Sequence, residues 1–537
     1  MNSAYKQPVF VLSVLIITVL VLIGAVAPKQ FGDVAQSGLD WATTRFGWFF
    51  LMSVFGFVVV LVYLAFSKYG ETKLGPPDSV PEFSYYSWIA MLLAAGFGIG
   101  LVFYGVAESM MHFVTPPHGM AEPGTDRAAE LALQYSFFNW GVSQWAAFSV
   151  VGLIIGFFQF RKGKPGLVSV VMDPLTRKSR FRHQINGALD IFAVVATVMG
   201  VATSLGLGVL QVNGGLEYLY GIPEGFVWQA IILGVMFTAY MLSAASGLDK
   251  GIKILSTINL TVALALMVFV LMFGPTLAIL NYFTQALGNY LQHFIFMSLQ
   301  TNAPGDTSWG AGWTIFYWAW VIAWSPFVGT FVARISYGRT VREFVLGVLV
   351  VPPLLACVWM GVFGGAALHF DLVQGANIAE AVQSNITTSL FRFFELYPMS
   401  EFLSILGMIL VFIFLITSAD SASYIVAQLT DRGNPAPPLA KRLAWGVLIA
   451  AICLTLIATG GLQALQAAAI LAALPFVLIL YAMVWMLFRE LAEDRKAQLE
   501  MLYQANDQTP VGASLEEARQ LTEDDELGAS ATGSSNQ

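Results

Sequence analysis

Apolar runs of about 20 residues recur along most of the 537-residue chain, and they constrain the fold more than any other feature. A helix rises ~1.5 Å per residue, so about 20 residues cross the ~30 Å hydrocarbon core of a bilayer. Only 11% of the residues are charged, whereas a soluble domain carries roughly 25%. A transmembrane barrel would instead alternate apolar and polar residues. The sequence therefore excludes a soluble globular protein and predicts an all-α polytopic membrane protein.

Charged residues divide the apolar sequence into twelve predicted transmembrane helices. Their approximate ranges are 8–27, 49–67, 84–111, 129–160, 188–212, 226–245, 251–273, 312–335, 343–366, 401–429, 442–459 and 462–488. The first run, with Lys6 before it and Ala25 and Ala27 at its end, also resembles a signal peptide. Because its about 20 residues exceed the ~7–15 apolar residues of a usual signal peptide, we expect a retained first helix.

The distribution of Lys and Arg orients these helices. If the N-terminus is cytoplasmic, the predicted outer loops hold only four of the 26 basic residues, namely Lys29, Arg45, Arg127 and Arg392. Cytoplasmic loops of membrane proteins carry the excess of positive charge. The sequence therefore predicts that both termini are cytoplasmic. A nucleic-acid partner is not expected, since no basic patch is interleaved with aromatic residues.

Two segments are predicted to lie outside the membrane core. The aromatic stretch between Pro275 and Trp309 holds no Lys or Arg and is typical of an amphipathic helix on the outer surface. Residues 489–537 form an acidic tail, which we expect to be disordered beyond about Gln504 because its polar and small residues bury little apolar surface. A solubilising and a regulatory role for this tail both remain open.

Of the charged residues that fall inside the predicted ranges, Glu108 and Asp420 are the two that we expect to be buried within the membrane. A charge within the membrane is costly and marks a functional candidate. Glu108 lies close to the outer end of the third span, where we favour a structural role. Asp420 lies well inside the tenth span, and its carboxylate is either a structural hydrogen-bond acceptor or a residue that couples an ion.

Three glycines, Gly96, Gly98 and Gly100, alternate in the middle of the third span. Glycine weakens a helix, and unwound backbone persists at membrane depth only where it lines a cavity or is buried in protein. Carbonyl groups freed at such a break can bind a cation, as they do in many secondary transporters. Close helix packing through small residues is the alternative explanation.

Two hydroxyl side chains reach the same depth from another helix. Counted from the inner ends of their spans, Gly96, Thr417 and Ser418 all lie roughly 18 Å deep. Hard cations take oxygen ligands, and for Na⁺ hydroxyl and carbonyl groups would supply them. No carboxylate lies between Trp88 and Ala107, where a proton-driven site would need one. The sequence therefore favours a sodium site.

Tryptophan residues occur at mid-membrane depth in two other spans, although tryptophan is normally enriched at the membrane surface. They are Trp140 and Trp145 in the fourth span and Trp318, Trp320 and Trp324 in the eighth. Trp320 and Trp324 share a helix face, as do Trp145 and Phe148. Ring faces that converge can hold a cation without a hydrogen-bond donor, such as a quaternary ammonium. For any single tryptophan, core packing is the alternative.

Four segments together resemble the betaine/choline/carnitine transporter family. They are residues 96–108, which begin Gly-Phe-Gly-Ile-Gly, and residues 317–329, 333–340 and 417–421. The resemblance covers nearly the whole chain. It implies a LeuT-type fold of two inverted five-helix repeats, spans 3–7 and 8–12, preceded by two extra helices. It also implies a homotrimer in which the outer-surface helix near residues 282–300 contacts neighbouring subunits.

On this basis the chain divides into five segments. Residues 1–83 contain the N-terminal segment and the two extra helices, 84–273 the first repeat, 274–311 the external loop with its surface helix, 312–488 the second repeat, and 489–537 the tail.

The resemblance also implies site residues. A sodium ion would bind backbone oxygens of Ala94 and Phe97 and the hydroxyls of Thr417 and Ser418. The substrate would bind in an aromatic box formed by Trp140, Trp145, Phe148 and Trp324, with Trp320 beside them. The glycines Gly96, Gly98 and Gly100 would form a hinge near this box. Family members that are proton-driven carry Asp at the position of Gly100, so this glycine favours sodium.

Several positions depart from the family pattern. Val321 stands where many relatives have a tryptophan, Phe148 replaces a tyrosine and Phe97 replaces a methionine. Val201 replaces a threonine of sodium-coupled relatives, which argues against a second sodium ion. A box with fewer aromatic rings leaves room for other substrates, such as ectoine, a sulfonium compound or a taurine-like zwitterion.

The resemblance thus implies a Na⁺-coupled importer of a small quaternary ammonium compound or related zwitterion, of the betaine, choline or carnitine type, in a bacterial-type inner membrane. Osmoprotective and catabolic roles both remain open. So do a proton-coupled choline carrier and a Na⁺-independent exchanger. An intramembrane enzyme is not expected, because the five histidines fall in loops, at membrane interfaces or in the surface helix. No cofactor besides the coupling ion is expected.

Overall fold

The fold is taken from a computed structural model that describes residues 8–96, 98–246, 249–302 and 305–507. These ranges are helical and contain no strand, although one isolated bridge pairs Lys73 with Thr340. The α-helices are α1 (Pro8–Val26), α2 (Pro28–Phe66), α3 (Tyr85–Gly96), α4 (Ile99–Val114), α5 (Asp126–Trp140), α6 (Val142–Gly156), α7 (Val168–Thr176), α8 (Arg182–Tyr220), α9 (Phe226–Ser246), α10 (Asp249–Phe273), α11 (Thr276–Ser298), α12 (Ser308–Gly310), α13 (Phe316–Ile335), α14 (Val341–Gln374), α15 (Ile378–Ser384), α16 (Ser389–Phe394), α17 (Ser400–Thr430) and α18 (Leu439–Asp507).

Ten helical stretches of the described ranges are long and apolar enough to cross a membrane. The segments α3 and α4 meet the same criterion together, although they are bent by 61° at their break. The helix α18 covers two predicted spans and turns between them at Gly460 and Gly461, where Gly461 adopts a left-handed φ of 56°. The predicted apolar ranges coincide with helices, and the protein is a polytopic α-helical membrane protein.

The break predicted in the third span is present. The helix α3 ends at Gly96, and α4 begins at Ile99 after Gly98, which is extended with φ −153° and ψ 176°. Phe97, which lies between the two helices, is outside the described residues. The glycines therefore do interrupt the helix, as their spacing indicates.

Two predicted helices differ in extent or continuity. The helix α2 begins at Pro28, whereas the sequence predicts a span only from residue 49. Charged residues ended the predicted span, but a helix can extend beyond the membrane, and proline is well suited to its first position.

The fourth span, predicted as 129–160, is divided at Gly141 into α5 and α6. At this break the Val142 backbone N–H donates to the hydroxyl of Tyr290 on α11 at 3.1 Å.

The amphipathic helix predicted between Pro275 and Trp309 corresponds to α11. It packs on α5 and α14. Through Tyr290 it contacts the divided fourth span, so α11 packs directly on the helices that carry the predicted box.

The described contacts divide the chain into two units, with the boundary between Met483 and Val484. In the second unit, α18 continues to Asp507, although the sequence predicts only a tail from residue 489. Pairs four residues apart support this helix, with Arg489 3.0 Å from Glu493 and Lys496 4.0 Å from Glu500. Each such pair contributes about 0.2–0.5 kcal/mol. Residues 508–537, which contain most of the segment expected to be disordered, lie outside the described residues.

The most extensive helix packing joins the first and second halves of the chain. It pairs α6 with α13, α8 with α17, and α4 with α14. The helices α6 and α13 meet backbone to backbone, because a Cβ added at Gly329 would lie 2.9 Å from the backbone nitrogen of Gly152. Small residues allow this close approach within a membrane. Because α6 and α13 carry most of the predicted box, this contact sets the distance between its two sides.

A buried ion pair connects α1 with the turn between α17 and α18. Lys441 Nζ lies 2.6 Å from Asp431 Oδ1, and the two side chains are 0% and 8% exposed. The same ammonium lies 5.2 Å from the centre of the Phe10 ring. Asn434 donates to the other Asp431 oxygen at 2.7 Å. A buried charge is tolerated only with such partners, so the cluster ties together α1, the turn after α17 and the start of α18.

We expect Lys441→Met to destabilise the protein by about 3–5 kcal/mol, because removing one partner of a buried pair leaves the other charge uncompensated. Thermal unfolding in detergent, followed by circular dichroism, measures the change as a lower melting temperature. Arg127→Gln is the matched control, since the side chains of Arg127 and Glu130 are 57% and 39% exposed and such pairs contribute about 0–1 kcal/mol. Equal effects of the two substitutions would contradict the role assigned to Lys441.

Candidate functional site

A cavity of about 740 Å³ lies between the helices that carry the predicted site residues. The predicted residues that line it are Ala94, Gly98, Gly100, Trp140, Trp145, Phe148, Trp320, Trp324, Thr417, Ser418 and Asp420. Phe97 lies outside the described residues, and Gly96 is described only as the last residue of α3. The fold therefore brings the predicted cation ligands and the predicted aromatic box to one cavity.

One end of the cavity reaches charged residues at the ends of helices. Arg334 and Arg442 line it there. The side chain of Arg334 is 56% exposed, and it donates to the Glu82 carboxylate at 2.5 and 3.1 Å. These hydrogen bonds lower the pKa of Glu82, which lies in the segment before α3. Beyond Trp140, in contrast, the side chain of Glu108 is completely buried. The cavity thus opens toward Arg334 and is closed on the side of Glu108.

The aromatic rings come from α5, α6 and α13. Ring centres are 5.3 Å apart for Trp145 and Phe148 and 6.3 Å apart for Trp140 and Trp320, and both pairs are edge to face. Trp324 follows Trp320 by one helical turn and also lines the cavity. Ring faces of this kind attract an onium cation by about 0.5–2 kcal/mol each, depending on desolvation.

Oxygen atoms line the cavity next to the helix break. Thr417 and Ser418 on α17 share the cavity wall with Ala94 and Gly98. Thr417 Oγ1 donates to the Ile413 carbonyl at 3.0 Å, so its lone pairs remain available to a cation. The described residues contain no group of three or more His, Cys, Asp or Glu side chains that could hold a metal ion. Beside the break, the cavity lining therefore offers the hydroxyl groups of Thr417 and Ser418, and the carboxylate of Asp420 belongs to the same lining.

Gly100 connects the helix break with the aromatic rings. A Cβ added at this glycine would lie 2.6 Å from Trp140 Cη2 and 2.7 Å from Trp320 Cη2. Any larger residue, including the aspartate considered for proton coupling, would have to displace both indoles. The start of α4 and the box are therefore in direct steric contact.

Glu108 is the centre of a buried hydrogen-bond network that positions Trp140. Its Oε2 accepts from Trp140 Nε1 at 2.7 Å and from the Tyr317 hydroxyl at 2.6 Å. Its Oε1 accepts from Asn139 Nδ2 at 2.9 Å and lies 3.2 Å from His112 Nε2. The network joins α4, α5 and α13, which agrees with the structural role predicted for Glu108.

His112 directly follows the predicted third span, and its side chain is buried. It lies within α4, one turn after Glu108, and is fully buried. The apolar run ends at residue 111, but the helix continues to Val114. The His112 ring centre lies 4.9 Å from that of Trp309 and 4.5 Å from that of Trp313. In the loop that follows, burial lowers the pKa of His118 to about 4, so this second histidine is neutral at pH 7.

Asp420 lies on the part of the cavity wall that contains Arg442. Its Oδ2 accepts from Ser243 Oγ on α9 at 3.2 Å, and Arg442 Nη2 lies 3.6 Å from its Oδ1. These contacts fit a structural acceptor that connects α9, α17 and α18. A coupling role for Asp420 stays a prediction.

Several polar residues that line the cavity were not among the predicted site residues, and two of them lie next to box residues. Ser204 on α8 accepts a hydrogen bond from Trp320 Nε1 at 3.2 Å. Gln144 on α6 lines the cavity with 7% of its surface exposed. A polar amide beside Trp145 in an apolar span was a usable signal for Gln144. Ser204 offered none, because serine in a helix commonly bonds its own backbone.

Comparison with known proteins gives a consistent picture. Residues 8–496 match the family described as BCCT, betaine/carnitine/choline family transporter. An ectoine/hydroxyectoine transporter of Virgibacillus pantothenticus is 50% identical over 496 residues, which are 92% of this chain and 98% of that protein. A glycine betaine transporter of Bacillus subtilis is 45% identical over 491 residues, 91% of this chain and 95% of that protein. A probable glycine betaine transporter of Desulfitobacterium hafniense is 42% identical, with 91% and 98% covered.

We expect Gly100→Ala to lower the free energy of unfolding by about 1–3 kcal/mol, because the added methyl group overlaps two indoles in a packed region. Thermal unfolding in detergent and intrinsic tryptophan fluorescence report the loss of stability and the displaced rings. Gly98→Ala is the matched control, since no atom lies within 4 Å of a Cβ added there. If both variants unfold at the same lower temperature, the indole contact is not the cause.

We expect Glu108→Gln to cost about 1.5–3 kcal/mol or more, because an amide N–H₂ group would replace an oxygen that accepts from indole and hydroxyl donors. The melting temperature should fall and the Trp140 fluorescence should change. Glu130→Gln on α5 serves for comparison, because the Glu130 side chain is 39% exposed. Unchanged stability of Glu108→Gln would show that the network does not hold Trp140.

Proposed function

The chain belongs to the betaine/carnitine/choline family of transporters, and from this premise we propose that it is a Na⁺-coupled symporter that imports a small onium or zwitterionic osmolyte by alternating access. It is a bacterial-type multi-pass membrane transporter and not an enzyme. The single observation that carries the finer proposal is the shared cavity, in which aromatic rings and hydroxyl oxygens face the same helix break.

The substrate would be held by its cationic group. The relatives at 50% and 45% identity are named for ectoine or hydroxyectoine and for glycine betaine, and all three compounds combine a delocalised or quaternary cation with a carboxylate. The box of Trp140, Trp145, Phe148, Trp320 and Trp324 supplies ring faces to such a cation. An osmoprotective role follows from this substrate class.

Sodium would bind beside the box. Thr417 and Ser418 would supply hydroxyl ligands, and the Ala94 and Phe97 carbonyls would complete the set. An ion that organises the break between α3 and α4 also places Gly100, which contacts Trp140 and Trp320. The ion therefore stabilises the same conformation as the substrate, and this shared preference couples their binding.

We further propose that the helices form two inverted five-helix repeats of the LeuT type after two extra helices. The helix packing supports this arrangement. The repeats would pair span three with span eight, span four with span nine and span five with span ten. Under this exchange, the contact between spans four and eight (α6 and α13) becomes the contact between spans nine and three (α14 and α4), and both contacts are present. The α8–α17 contact, between spans five and ten, exchanges with itself.

The orientation and assembly follow the sequence and the family resemblance. Both termini would be cytoplasmic, because the positive charge then faces inward. The cavity would accordingly open to the cytoplasm at Arg334, which corresponds to an inward-facing state. A homotrimer would form, with α11 at the subunit contacts.

The test is uptake of labelled glycine betaine and ectoine into proteoliposomes under an inward Na⁺ gradient, a K⁺ gradient or a pH gradient. We expect concentrative uptake with Na⁺ only, and Trp324→Leu should abolish saturable uptake. Combined Thr417→Ala and Ser418→Ala should raise the Na⁺ concentration for half-maximal uptake at least tenfold. Ser421→Ala, which removes another hydroxyl of the cavity wall, is the control.

Uptake driven only by protons, or only by exchange with internal substrate, would overturn the sodium proposal and favour a proton-coupled carrier or an exchanger. An unchanged Na⁺ requirement in the double variant would remove Thr417 and Ser418 from the cation site.

A further inference from the structure

We infer that Gln144 selects the substrate, by accepting a hydrogen bond from a cation that carries N–H groups. The inference rests on the proposed function and names the substrate class, a cyclic amidinium carboxylate, which is the chemical class of ectoine. Gln144 would thereby favour such a compound over a quaternary ammonium, which has no N–H group to donate.

The side-chain oxygen of Gln144 lacks a partner. The residue is 7% exposed and lines the cavity, and its Oε1 is buried without a hydrogen-bond partner among the described residues. Most buried polar side-chain atoms in proteins are hydrogen-bonded, so an unsatisfied one needs a specific explanation. Because this acceptor lies on a cavity wall, a bound ligand can supply the missing donor.

The position of Gln144 places its amide among the box residues. It is the third residue of α6 after the break at Gly141, and Trp145 follows it directly. Phe148 lies one turn later on the same helix face, with its ring 5.3 Å from that of Trp145. A cation held by these rings would therefore lie next to the Gln144 amide.

A second unsatisfied atom, a donor, lines the same cavity from α13. The indole nitrogens of Trp140 and Trp320 donate to Glu108 and Ser204. Trp324 Nε1, in contrast, is buried without a hydrogen-bond partner in the described part of the chain. Among Gln144 and the box residues, the cavity thus offers one acceptor, Gln144 Oε1, and one donor, Trp324 Nε1, that have no hydrogen-bond partner in the described part of the chain.

This pair of atoms fits a ligand that has both N–H groups and a carboxylate. A cyclic amidinium carboxylate can donate an N–H to Gln144 Oε1 and accept from Trp324 Nε1 while its planar cation contacts the rings. Glycine betaine can use the Trp324 donor, but its trimethylammonium group leaves Gln144 unsatisfied. A site built to bond an N–H group discriminates strongly against an analogue that lacks it.

Val321 has a smaller side chain than the tryptophan that many relatives carry at this position. It lies between Trp320 and Trp324 in sequence and lines the cavity, with 2% of its surface exposed. A cyclic substrate needs more lateral space within the box than an acyclic trimethylammonium compound. Val321 is therefore consistent with the same substrate class.

The experiment measures kcat/KM for uptake of labelled ectoine and of labelled glycine betaine by the full chain in proteoliposomes under an inward Na⁺ gradient. Gln144→Leu removes the acceptor at similar volume, and we expect the ratio of ectoine to glycine betaine kcat/KM to fall at least tenfold. Gln144→Glu keeps an acceptor oxygen, so it should retain the wild-type preference. Ser143→Ala, which removes the neighbouring hydroxyl outside the cavity lining, should leave the ratio unchanged.

Parallel losses for both substrates in Gln144→Leu would overturn the inference, because the amide would then contact the shared carboxylate instead. An unchanged ratio would also overturn the inference, and so would a wild-type protein that transports glycine betaine but not ectoine. These two outcomes leave the proposed function intact. A wild-type protein that accumulates neither compound under any ion gradient refutes the proposed function itself. If size-exclusion chromatography shows that Gln144→Leu is misfolded, Gln144→Met provides the same comparison.

Discussion

The carboxylate of Glu108 has no contact with solvent, and the ends of three helices beside the cavity are arranged to satisfy it. A buried carboxylate is tolerated only when donors surround it. Trp140, Tyr317 and Asn139 supply those donors from two other helices. The requirement for donors therefore fixes the end of α5 and the start of α13 relative to α4. Trp140 is consequently held by its indole nitrogen while the residue also lines the cavity.

The helices and the main elements of the site were predictable because membrane insertion imposes simple rules on sequence. Hydrocarbon thickness sets the length of each apolar run, and the glycines of the third span identify the break between α3 and α4 before any coordinates are known. Depth counting correctly related Thr417 and Ser418 to that break, since helical rise is uniform. These predictions depend only on local composition and regular geometry.

Other features depend on tertiary contacts that composition does not report. The division of the fourth span at Gly141 occurs where a hydroxyl from α11, far away in sequence, receives a freed backbone N–H. His112 is buried because aromatic rings from the segment before α13 cover it, although the residue follows the end of an apolar run. The extent of α2 was underestimated because charged residues end an apolar run without ending a helix. Gln144 was visible as a polar residue, but its unsatisfied oxygen appears only when all neighbours are in place.

The backbone contact between Gly152 and Gly329 has a consequence for how the protein moves. Two helices that meet without intervening side chains have no flexible layer that could absorb relative sliding, so we expect α6 and α13 to move as one rigid piece. Most of the aromatic rings that line the cavity belong to these two helices. If access alternates as proposed, the surrounding helices would move and the pocket would present the same shape to both sides of the membrane. The proposed substrate would then leave as water enters, with the aromatic cage itself left intact.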